Sequence, residues 1–162
     1  MRIRAATPAD GDRVAEIYAH YVATSTATFD ETAPDGIEMA AKISSAKLPF
    51  LVAEIDGAVD GFAYLAPYHP RSAYRHTAEW SVYVAEEARG RGIGRALLER
   101  LLAEAPDAGV RELIAIIGVT DGDTSVALHR ALGFEEAGLL RAVGFKHGRW
   151  HDTVLMQRSL RP

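Results

Sequence analysis

Apolar side chains recur along the chain with two spacings, one typical of α-helices and one typical of β-strands. Thr7 and Pro8 resemble a helix start, with an N-cap followed by proline at the first helical position. After them, apolar residues recur on one helical face, at Val14, Ile17, Tyr18, Tyr21 and Val22. Residues 2–6 have the pattern of a short edge strand, so the first elements predicted are a strand and a helix.

A second helix is predicted after Asp35, which is suited to cap it. This helix ends near Ser45 and carries the apolar residues Ile37, Ala40, Ala41 and Ile43. Residues 50–55 and 58–65 form two apolar runs. The pair Asp56 and Gly57 lies between these runs and is a strong signal for a two-residue hairpin turn.

The second half of the chain alternates strands and helices. Strands are predicted at residues 77–84, 113–119, 134–140 and 152–159, and helices at 95–105 and 124–132, with Gly133 suited to a left-handed C-cap. The run at 113–119 is almost entirely aliphatic, as expected of a strand covered on both faces. Hairpins followed by a β–loop–α–β crossover predict an α+β fold, with a mixed, mostly antiparallel sheet flanked by helices. We expect one domain over residues 1–162.

Composition limits the classes of function. The chain has 162 residues, a formal net charge of -4 and no cysteine. The negative charge disfavours broad binding to nucleic acid or anionic membranes. The absence of cysteine excludes disulfides, thiolate zinc sites and a cysteine acyl-enzyme. Without a signal-like stretch near Met1 or an apolar run long enough to cross a membrane, we expect a cytoplasmic protein.

A glycine-rich loop carries the clearest chemical signal. Arg89, Gly90, Arg91, Gly92, Ile93, Gly94 and Arg95 follow a predicted strand and precede a leucine-rich helix. Alternating glycines let consecutive backbone N–H groups converge on one anion, and the helix N-terminus and the arginines add positive charge. The loop therefore predicts a phosphate-binding corner, with an ordinary surface turn as the alternative.

Two familiar glycine motifs do not fit this loop. A P-loop requires lysine and a hydroxyl residue after its last glycine, and neither follows Gly94. A dinucleotide fingerprint starting at Gly90 requires a third glycine where Arg95 stands. The spacing therefore disfavours a nucleotide-dependent kinase or oxidoreductase.

The spacing Arg89-x-x-Gly92-x-Gly94 resembles the signature of GCN5-related N-acetyltransferases. Further segments resemble one branch of that superfamily, the phosphinothricin and methionine-sulfoximine or methionine-sulfone N-acetyltransferases. They are IRAATPAD at 3–10, TSTATF at 24–29, YRHTAEWSVYV at 74–84, LHRALGF at 128–134 and GFKHGRWHD at 144–152. The resemblance extends over nearly the whole chain, in order.

The resemblance implies acetyl-CoA as acyl donor and a homodimer, while the residues themselves predict no metal. The resemblance also implies that the strand with Val82, Tyr83 and Val84 parts from residues 113–119, so that this parallel pair is splayed at the cofactor site and pantetheine pairs with the exposed edge. The N–H groups at the end of that strand suit an oxyanion, and residues 90–95 cradle the pyrophosphate. Asp123 stands where the family commonly has an asparagine that contacts the cofactor. A carboxylate cannot donate a hydrogen bond as an amide does, so that contact is an open question.

Two residues are candidates for the chemistry. Glu79 lies among mostly apolar or uncharged neighbours on the strand before the loop, where a desolvated carboxylate can accept the proton of an amine. The resembled branch has a catalytic glutamate at this position, and a solvent-facing glutamate is the alternative. The resemblance also gives His129 a catalytic or supporting role near the sulfur, while a packed helix histidine is equally compatible with the sequence.

The acceptor site is implied by the resemblance at Arg71 and Tyr74, which match pocket positions. Arg71 can hold a carboxylate by two hydrogen bonds; the alternative is a solvated loop charge. Phe29 can form an apolar wall, and Arg75 and His76 continue the lining. The expected acceptor is a small amino acid-like amine such as phosphinothricin or methionine sulfoximine, whose acetylation detoxifies the compound and confers herbicide resistance.

Other functions stay open at this point. Rivals are acetylation of a polyamine or a protein N-terminus, and a coenzyme A-binding sensor that has lost the chemistry. Arg71 disfavours a cationic polyamine, and Glu79 disfavours a sensor. His147 and His151 have a metal-like spacing, but the sequence offers no cysteine or nearby acidic third ligand, and packing or interface roles are expected there.

Overall fold

The computed structural model describes residues 1–119 and 124–161. Its strands are β1 (Arg2–Ala5), β2 (Phe50–Ile55), β3 (Ala58–Pro67), β4 (Thr77–Val84), β5 (Glu112–Gly118), β6 (Glu135–Lys146) and β7 (Arg149–Ser159). Its α-helices are α1 (Gly11–Thr24), α2 (Gly36–Ser45), α3 (Ile93–Glu104) and α4 (Thr124–Ala131). Short 3₁₀ turns lie at Pro8–Asp10, Ser72–Tyr74 and Glu86–Ala88. No helix in the described ranges is long and apolar enough to cross a membrane.

The strands form one sheet in the order β1-β2-β3-β4-β5-β7-β6. Strands β4 and β5 are parallel, and every other neighbouring pair is antiparallel. This confirms the predicted mixed, mostly antiparallel sheet. In the described chain, β4 pairs with β5 only from Thr77 to Glu79, although β4 continues to Val84. The two strands therefore diverge and leave a gap in the middle of the sheet.

Helices cover both faces of the sheet. Alternate side chains of β4 point to opposite faces, as in any strand. Tyr83 packs edge-on against Tyr18 of α1, whereas Val82 and Val84 lie near Gly94 of α3. Tyr83 thus lies on the α1 face of the sheet, and the two valines lie on the α3 face. The core accordingly has two layers: Tyr18 and its aromatic neighbours form one, and the buried leucines of α3 form the other.

Local sequence signals explain most element boundaries. Asp56 and Gly57 both have positive φ, at 51° and 84°, as the two-residue hairpin requires. Asp35 accepts a hydrogen bond from the Glu38 N–H, and the Glu38 carboxylate accepts one from the Asp35 N–H, each across 2.8 Å. This reciprocal capping box confirms the predicted start of α2. Gly133 has a φ of 80° after α4, also as predicted.

Some boundaries differ from the sequence prediction. Thr7 caps the 3₁₀ turn Pro8–Asp10, and α1 begins only at Gly11, because the Asp10 carboxylate accepts hydrogen bonds from Thr7 and Arg4. Helix α3 starts at Ile93, two residues before the predicted start. Ile37 is 81% exposed, and Met39 occupies the buried face of α2 instead. The final hairpin is longer than predicted, since β6 reaches Lys146 and β7 starts at Arg149.

Candidate active site

The glycine loop joins the end of β4 to α3 beside the gap in the sheet. Gly90 and Gly92 have φ values of 75° and 77°, so both adopt the left-handed conformation that favours glycine. Gly92 is the N-cap of α3, whose first N–H groups have no partner within the helix. A cavity of about 530 Å³, here called the loop cavity, is lined by this loop, Arg89 and Ser125. This is the geometry of an anion site at a helix N-terminus.

The three loop arginines differ in their surroundings. The Arg89 guanidinium lies over the Tyr21 ring, 5.2 Å from its centroid, and lines the loop cavity. Arg95 also lines it and forms an exposed ion pair with Glu99 across 2.8 Å. Arg91 is oriented toward Asp60, with 3.9 Å between the charged atoms. Arg89 and Arg95 are therefore the cations nearest to a ligand of this cavity.

Tyr21 holds the open edge of β4. Its hydroxyl donates to the Val84 carbonyl across 2.7 Å and accepts from the Val84 N–H across 3.2 Å. The main-chain groups of Val84 therefore face Tyr21 and the gap, not β3. Since alternate residues of a strand direct these groups to the same edge, Val82 presents its N–H and carbonyl to the gap as well. An extended ligand can pair with Val82 there.

A second cavity of about 190 Å³, here called the gap cavity, lies between the diverging strands. It shares Val82 and Ser125 with the loop cavity. Trp80 and the buried His129 line its inner end. The Trp80 indole N–H donates to His129 Nε2 across 2.9 Å, and His129 Nδ1 lies 2.7 Å from the Ser125 carbonyl oxygen.

Glu79 lines a third cavity of about 230 Å³, here called the Glu79 cavity. It shares Ser81, Tyr83, Ile116 and Gly118 with the gap cavity, so the two adjoin. Burial raises the pKa of the half-buried Glu79 carboxyl above its ordinary value. Within the described chain, Glu79 has no hydrogen bond or ion pair through its side chain. Glu79 is therefore a carboxylate of raised pKa in the cavity wall, and its oxygens are available to accept a proton or a hydrogen bond from a ligand.

The loop between α1 and α2 closes the Glu79 cavity. Phe29 lines this cavity, as do Thr26, Ala27 and Thr28. The Tyr18 hydroxyl lies 2.7 Å from Thr28 Oγ1 and also donates to the Asp30 carboxylate. Burial and the hydrogen bond to Asp30 raise the pKa of Tyr18, so the phenol stays protonated at neutral pH. This loop is therefore attached to α1 at its polar residues, with Phe29 turned inward.

The other acceptor residues predicted from the sequence lie elsewhere. Arg71 and Tyr74 are exposed on the 3₁₀ turn Ser72–Tyr74 and its flank, where the Tyr74 ring packs against Tyr68 and His69. Arg75 donates to the Ser72 carbonyl, and His76 Nδ1 lies 2.9 Å from the Gly109 carbonyl oxygen. These residues do not line the Glu79 cavity as described.

Some sequence predictions concern other parts of the site. Asp123 lies outside the described residues. His147 occupies the β6–β7 turn with a φ of 52°, while the buried His151 ring nitrogen Nε2 lies 2.9 Å from the Lys146 carbonyl oxygen. In the described ranges, no group of three or more His, Cys, Asp or Glu side chains is arranged to hold a metal ion.

Sequence reasoning missed Tyr21 and Trp80 as parts of the site. Tyr21 was assigned to the apolar face of α1, and nothing in helical spacing reveals that its hydroxyl reaches Val84. Trp80 lies in a strand, and strand alternation does not say which layer of the fold each side chain enters. The signal for Trp80 was its place within the segment 74–84, which resembles the acetyltransferase branch.

Comparison with known proteins agrees with this geometry. Residues 14–134 match the Acetyltransferase (GNAT) family. The chain is 50% identical over 161 residues to phosphinothricin N-acetyltransferase of Alcaligenes faecalis, covering 98% of this chain and 82% of that protein. It is 36% identical to the L-methionine sulfoximine/L-methionine sulfone acetyltransferase of Salmonella typhimurium, covering 99% and 95% of the two chains.

A solved structure is similar along nearly the whole chain. It is the phosphinothricin acetyltransferase of Sinorhizobium meliloti in complex with AcCoA. The TM-score is 0.93 at 47% sequence identity, covering 98% of this chain and 88% of that one. With the family match and these relatives, the fold and the glycine loop have one common explanation: this chain belongs to the GNAT family of acetyltransferases.

Proposed function

We propose that the protein, as one domain over residues 1–162, transfers acetyl from acetyl-CoA to the amine of a small amino acid-like acceptor. Phosphinothricin, methionine sulfoximine and methionine sulfone are the acceptors suggested by the names of its relatives. One observation carries the proposal. The loop cavity, the gap cavity and the Glu79 cavity adjoin in that order, and the Glu79 cavity is lined by a desolvated carboxylate.

The protein offers suitable groups to each part of the acetyl donor, acetyl-CoA. The backbone N–H groups of residues 90–95 and the arginines Arg89 and Arg95 suit the pyrophosphate. The Val82 N–H and carbonyl, at the open edge of β4, offer hydrogen bonds to the amide groups of pantetheine, while Val84 beside them is held by the Tyr21 hydroxyl. Arg91 does not line the loop cavity, and we assign it a longer-range attraction to the cofactor phosphates. In this arrangement the thioester lies in the gap cavity, beside the Glu79 cavity.

Glu79 is proposed as the general base. An amino acid carries its amine as an ammonium at neutral pH, so a proton must leave before nitrogen can attack. The Glu79 carboxylate accepts that proton, directly or through a water molecule. The amine then forms the amide C–N bond as the C–S bond breaks. The nitrogen gives up a second proton, which passes to the departing sulfur, so coenzyme A leaves as the thiol. Ser81 and Tyr83 lie on the same strand face as Glu79 and line the cavity where this occurs.

The acceptor carboxylate is assigned to Arg71, with Tyr74, Arg75 and His76 as its neighbours. Their exposed positions near the start of β4 require Arg71 to turn toward the Glu79 cavity when an acceptor binds. Phe29 forms the apolar wall of the same cavity. His129 is assigned a supporting role beside the gap cavity, and Asp123 a contact with the cofactor.

We also propose a homodimer formed through the β6–β7 hairpin. Phe145 and Trp150 face each other across this hairpin with ring centroids 5.1 Å apart, and they are 53% and 67% exposed. Val143 nearby is 52% exposed. Large exposed apolar groups on an edge strand favour contact with another chain. Cytoplasmic detoxification, and with it herbicide resistance, is the role that this activity would have.

An acceptor screen tests the function. Purified protein is incubated with acetyl-CoA and each candidate amine, and free thiol is measured with time. The panel contains phosphinothricin, methionine sulfoximine, methionine sulfone, spermidine and a peptide with a free N-terminal alanine. We expect thiol release with one or more of the three amino acid analogues. Release only with spermidine or the peptide contradicts the acceptor class, and tight acetyl-CoA binding without release for any amine favours a coenzyme A sensor.

A further inference from the structure

Lys146 is a buried lysine that none of the assigned roles uses. It ends β6 and is only 2% exposed. Its ammonium donates to the Ser25 carbonyl across 2.7 Å and to the Thr28 carbonyl across 2.8 Å. The Tyr21 carbonyl, in the last turn of α1, is a third acceptor at 3.4 Å. An ammonium has three donors, so its hydrogen-bonding capacity is directed entirely at one segment of backbone.

The segment that Lys146 holds is the wall of the Glu79 cavity. Ser25 and Thr28 enclose Thr26 and Ala27, and Phe29 follows directly; Thr26 to Phe29 all line that cavity. The contacts are remote in sequence, since Lys146 and Thr28 are separated by 118 positions. The hairpin β6–β7 therefore determines where a loop between α1 and α2 lies.

The same loop packs closely against two glycines, at which any side chain would clash with it. A Cβ added at Gly144 would lie 2.3 Å from Phe29 Cε2, and one added at Gly118 would lie 2.5 Å from the Thr26 carbonyl oxygen. Phe29 also contacts the His151 ring, with centroids 6.1 Å apart. Phe29 thus packs against Gly118, Gly144 and His151, which lie in β5, β6 and β7, only while the loop backbone keeps its position above the sheet.

The electrostatics fit a structural cation. Burial lowers the pKa of Lys146, and the carboxylates of Asp30 and Glu31 oppose that shift. A charged amine in so dry a position is costly unless it is hydrogen-bonded. Its cost is offset here by three carbonyls, one of them at the negative end of the α1 dipole. A neutral side chain of the same length would leave the Ser25 and Thr28 carbonyls without this donor.

We propose that Lys146 is a positioning residue for acceptor recognition, because its ammonium clamps the carbonyls of Ser25 and Thr28 and so sets Phe29 over the Glu79 cavity. The consequence for the acceptor rests on the function proposed above; the consequence for the loop does not. Lys146 acts through the loop, since it is not among the described residues that line the Glu79 cavity.

Hydrogen exchange measures the clamp without any substrate. The full chain carrying Lys146→Met is compared with wild type and with Lys47→Met, which changes an exposed lysine. Hydrogen bonds to a charged group are stronger than those between neutral groups, so amide exchange at residues 25–30 should accelerate about tenfold or more. A peptide from α3 serves as the internal reference. Unchanged exchange at residues 25–30, or equal acceleration in α3, overturns the proposal.

Kinetics then measure the consequence for the acceptor. Lys146→Met should raise the acceptor KM about tenfold and leave the acetyl-CoA KM within about twofold of wild type. If Lys146 acts through Phe29, the double variant Lys146→Met/Phe29→Ala should have nearly the acceptor KM of Phe29→Ala alone. Additive effects, or equal losses for both substrates, overturn the positioning role. If wild type acetylates none of the acceptors, the proposed function fails, and hydrogen exchange still decides the clamp.

Discussion

The indole N–H of Trp80 donates to Nε2 of His129, 2.9 Å away, and joins β4 to α4 at the inner end of the gap cavity. An indole nitrogen only donates, so Nε2 must be the unprotonated nitrogen of the ring. The ring proton is then on Nδ1, where it faces the Ser125 carbonyl oxygen across 2.7 Å. Both nitrogens of His129 thus have protein partners, which favours a supporting role over proton transfer.

His129→Ala should reduce stability more than chemistry. The substitution leaves the Trp80 N–H and the Ser125 carbonyl without the imidazole, and we expect the free energy of unfolding to fall by about 1–3 kcal/mol. The kcat at saturating substrates should fall less than about tenfold, well below the loss typical of a general acid or base. Urea unfolding and initial rates measure the two effects. A kcat loss of a hundredfold or more in a fully stable variant would restore a catalytic role for His129.

Glu79→Gln should abolish most of the turnover while leaving both substrates bound. A positioned base contributes about 10²- to 10⁴-fold, and glutamine retains the shape but cannot accept the proton. In wild type, kcat/KM should fall on the acid side as Glu79 is protonated, at a pH above the ordinary value for glutamate because burial raises its pKa. That acid limb should vanish in the variant. An acid limb of the same position in Glu79→Gln contradicts the assignment.

The same pKa shift has a consequence for stability. A carboxyl with a raised pKa binds its proton more tightly in the folded state than in the unfolded state. Its contribution is therefore fully present below the unfolded pKa and is lost as pH rises through the folded pKa. Glu79→Gln should consequently be at least as stable as wild type at pH 7, and its advantage should disappear in acid. Chemical denaturation across this pH range measures the difference.

Gly92→Ala should weaken acetyl-CoA binding through the backbone alone. A Cβ at Gly92 meets no atom within 4 Å, so the change tests only its φ of 77°. Left-handed backbone costs other residues about 1–2 kcal/mol, or about tenfold in affinity if the loop leaves its binding geometry. Gly109→Ala is the matched control, with a φ of 80° and equally open space in the α3–β5 turn. Equal acetyl-CoA affinity of the two variants, measured by calorimetry, contradicts a role of the loop conformation.

Gly144→Ala should impair the acceptor selectively. The new methyl group would lie 2.3 Å from the Phe29 ring and must displace it. We expect a several-fold rise in the acceptor KM, with the acetyl-CoA KM unchanged. Gly138→Ala lies in the same strand with nothing within 4 Å and should behave as wild type in both assays. Unchanged acceptor kinetics in Gly144→Ala would exclude Phe29 from the acceptor wall.

Trp150→Glu should convert the proposed homodimer into monomers. The substitution places a charge in the exposed apolar part of the β6–β7 hairpin, where burial against a second copy would leave it unpaired. Ile37→Glu, on α2 and 81% exposed, is the control for added surface charge. Light scattering during size-exclusion chromatography gives the masses. A monomeric wild type at micromolar concentration, or a dimeric Trp150→Glu variant, contradicts this interface.

The local features of the site could be predicted from the sequence. Gly90 and Gly92 indicate a loop whose N–H groups converge, because glycine allows backbone conformations closed to other residues, and both do adopt positive φ. The apolar surroundings of Glu79 along its strand predict a desolvated carboxylate, in agreement with its raised pKa. The order of strands and helices likewise predicted the mixed sheet, since hairpin turns and a crossover helix restrict how neighbouring strands can pair.

Other features depend on contacts between distant segments. The sequence does not reveal that Lys146 reaches Thr28, that Tyr21 reaches Val84 or that Trp80 meets His129, because each pair is at least 49 positions apart. Such pairs come together only when the sheet is assembled and the helices have packed. By itself, then, the sequence determined the element order, the glycine corner and the candidate base, all of which follow from backbone geometry and local polarity. The tertiary structure alone decided which side chains hold them in place, because burial and hydrogen-bond partners exist only once remote parts of the chain are in contact.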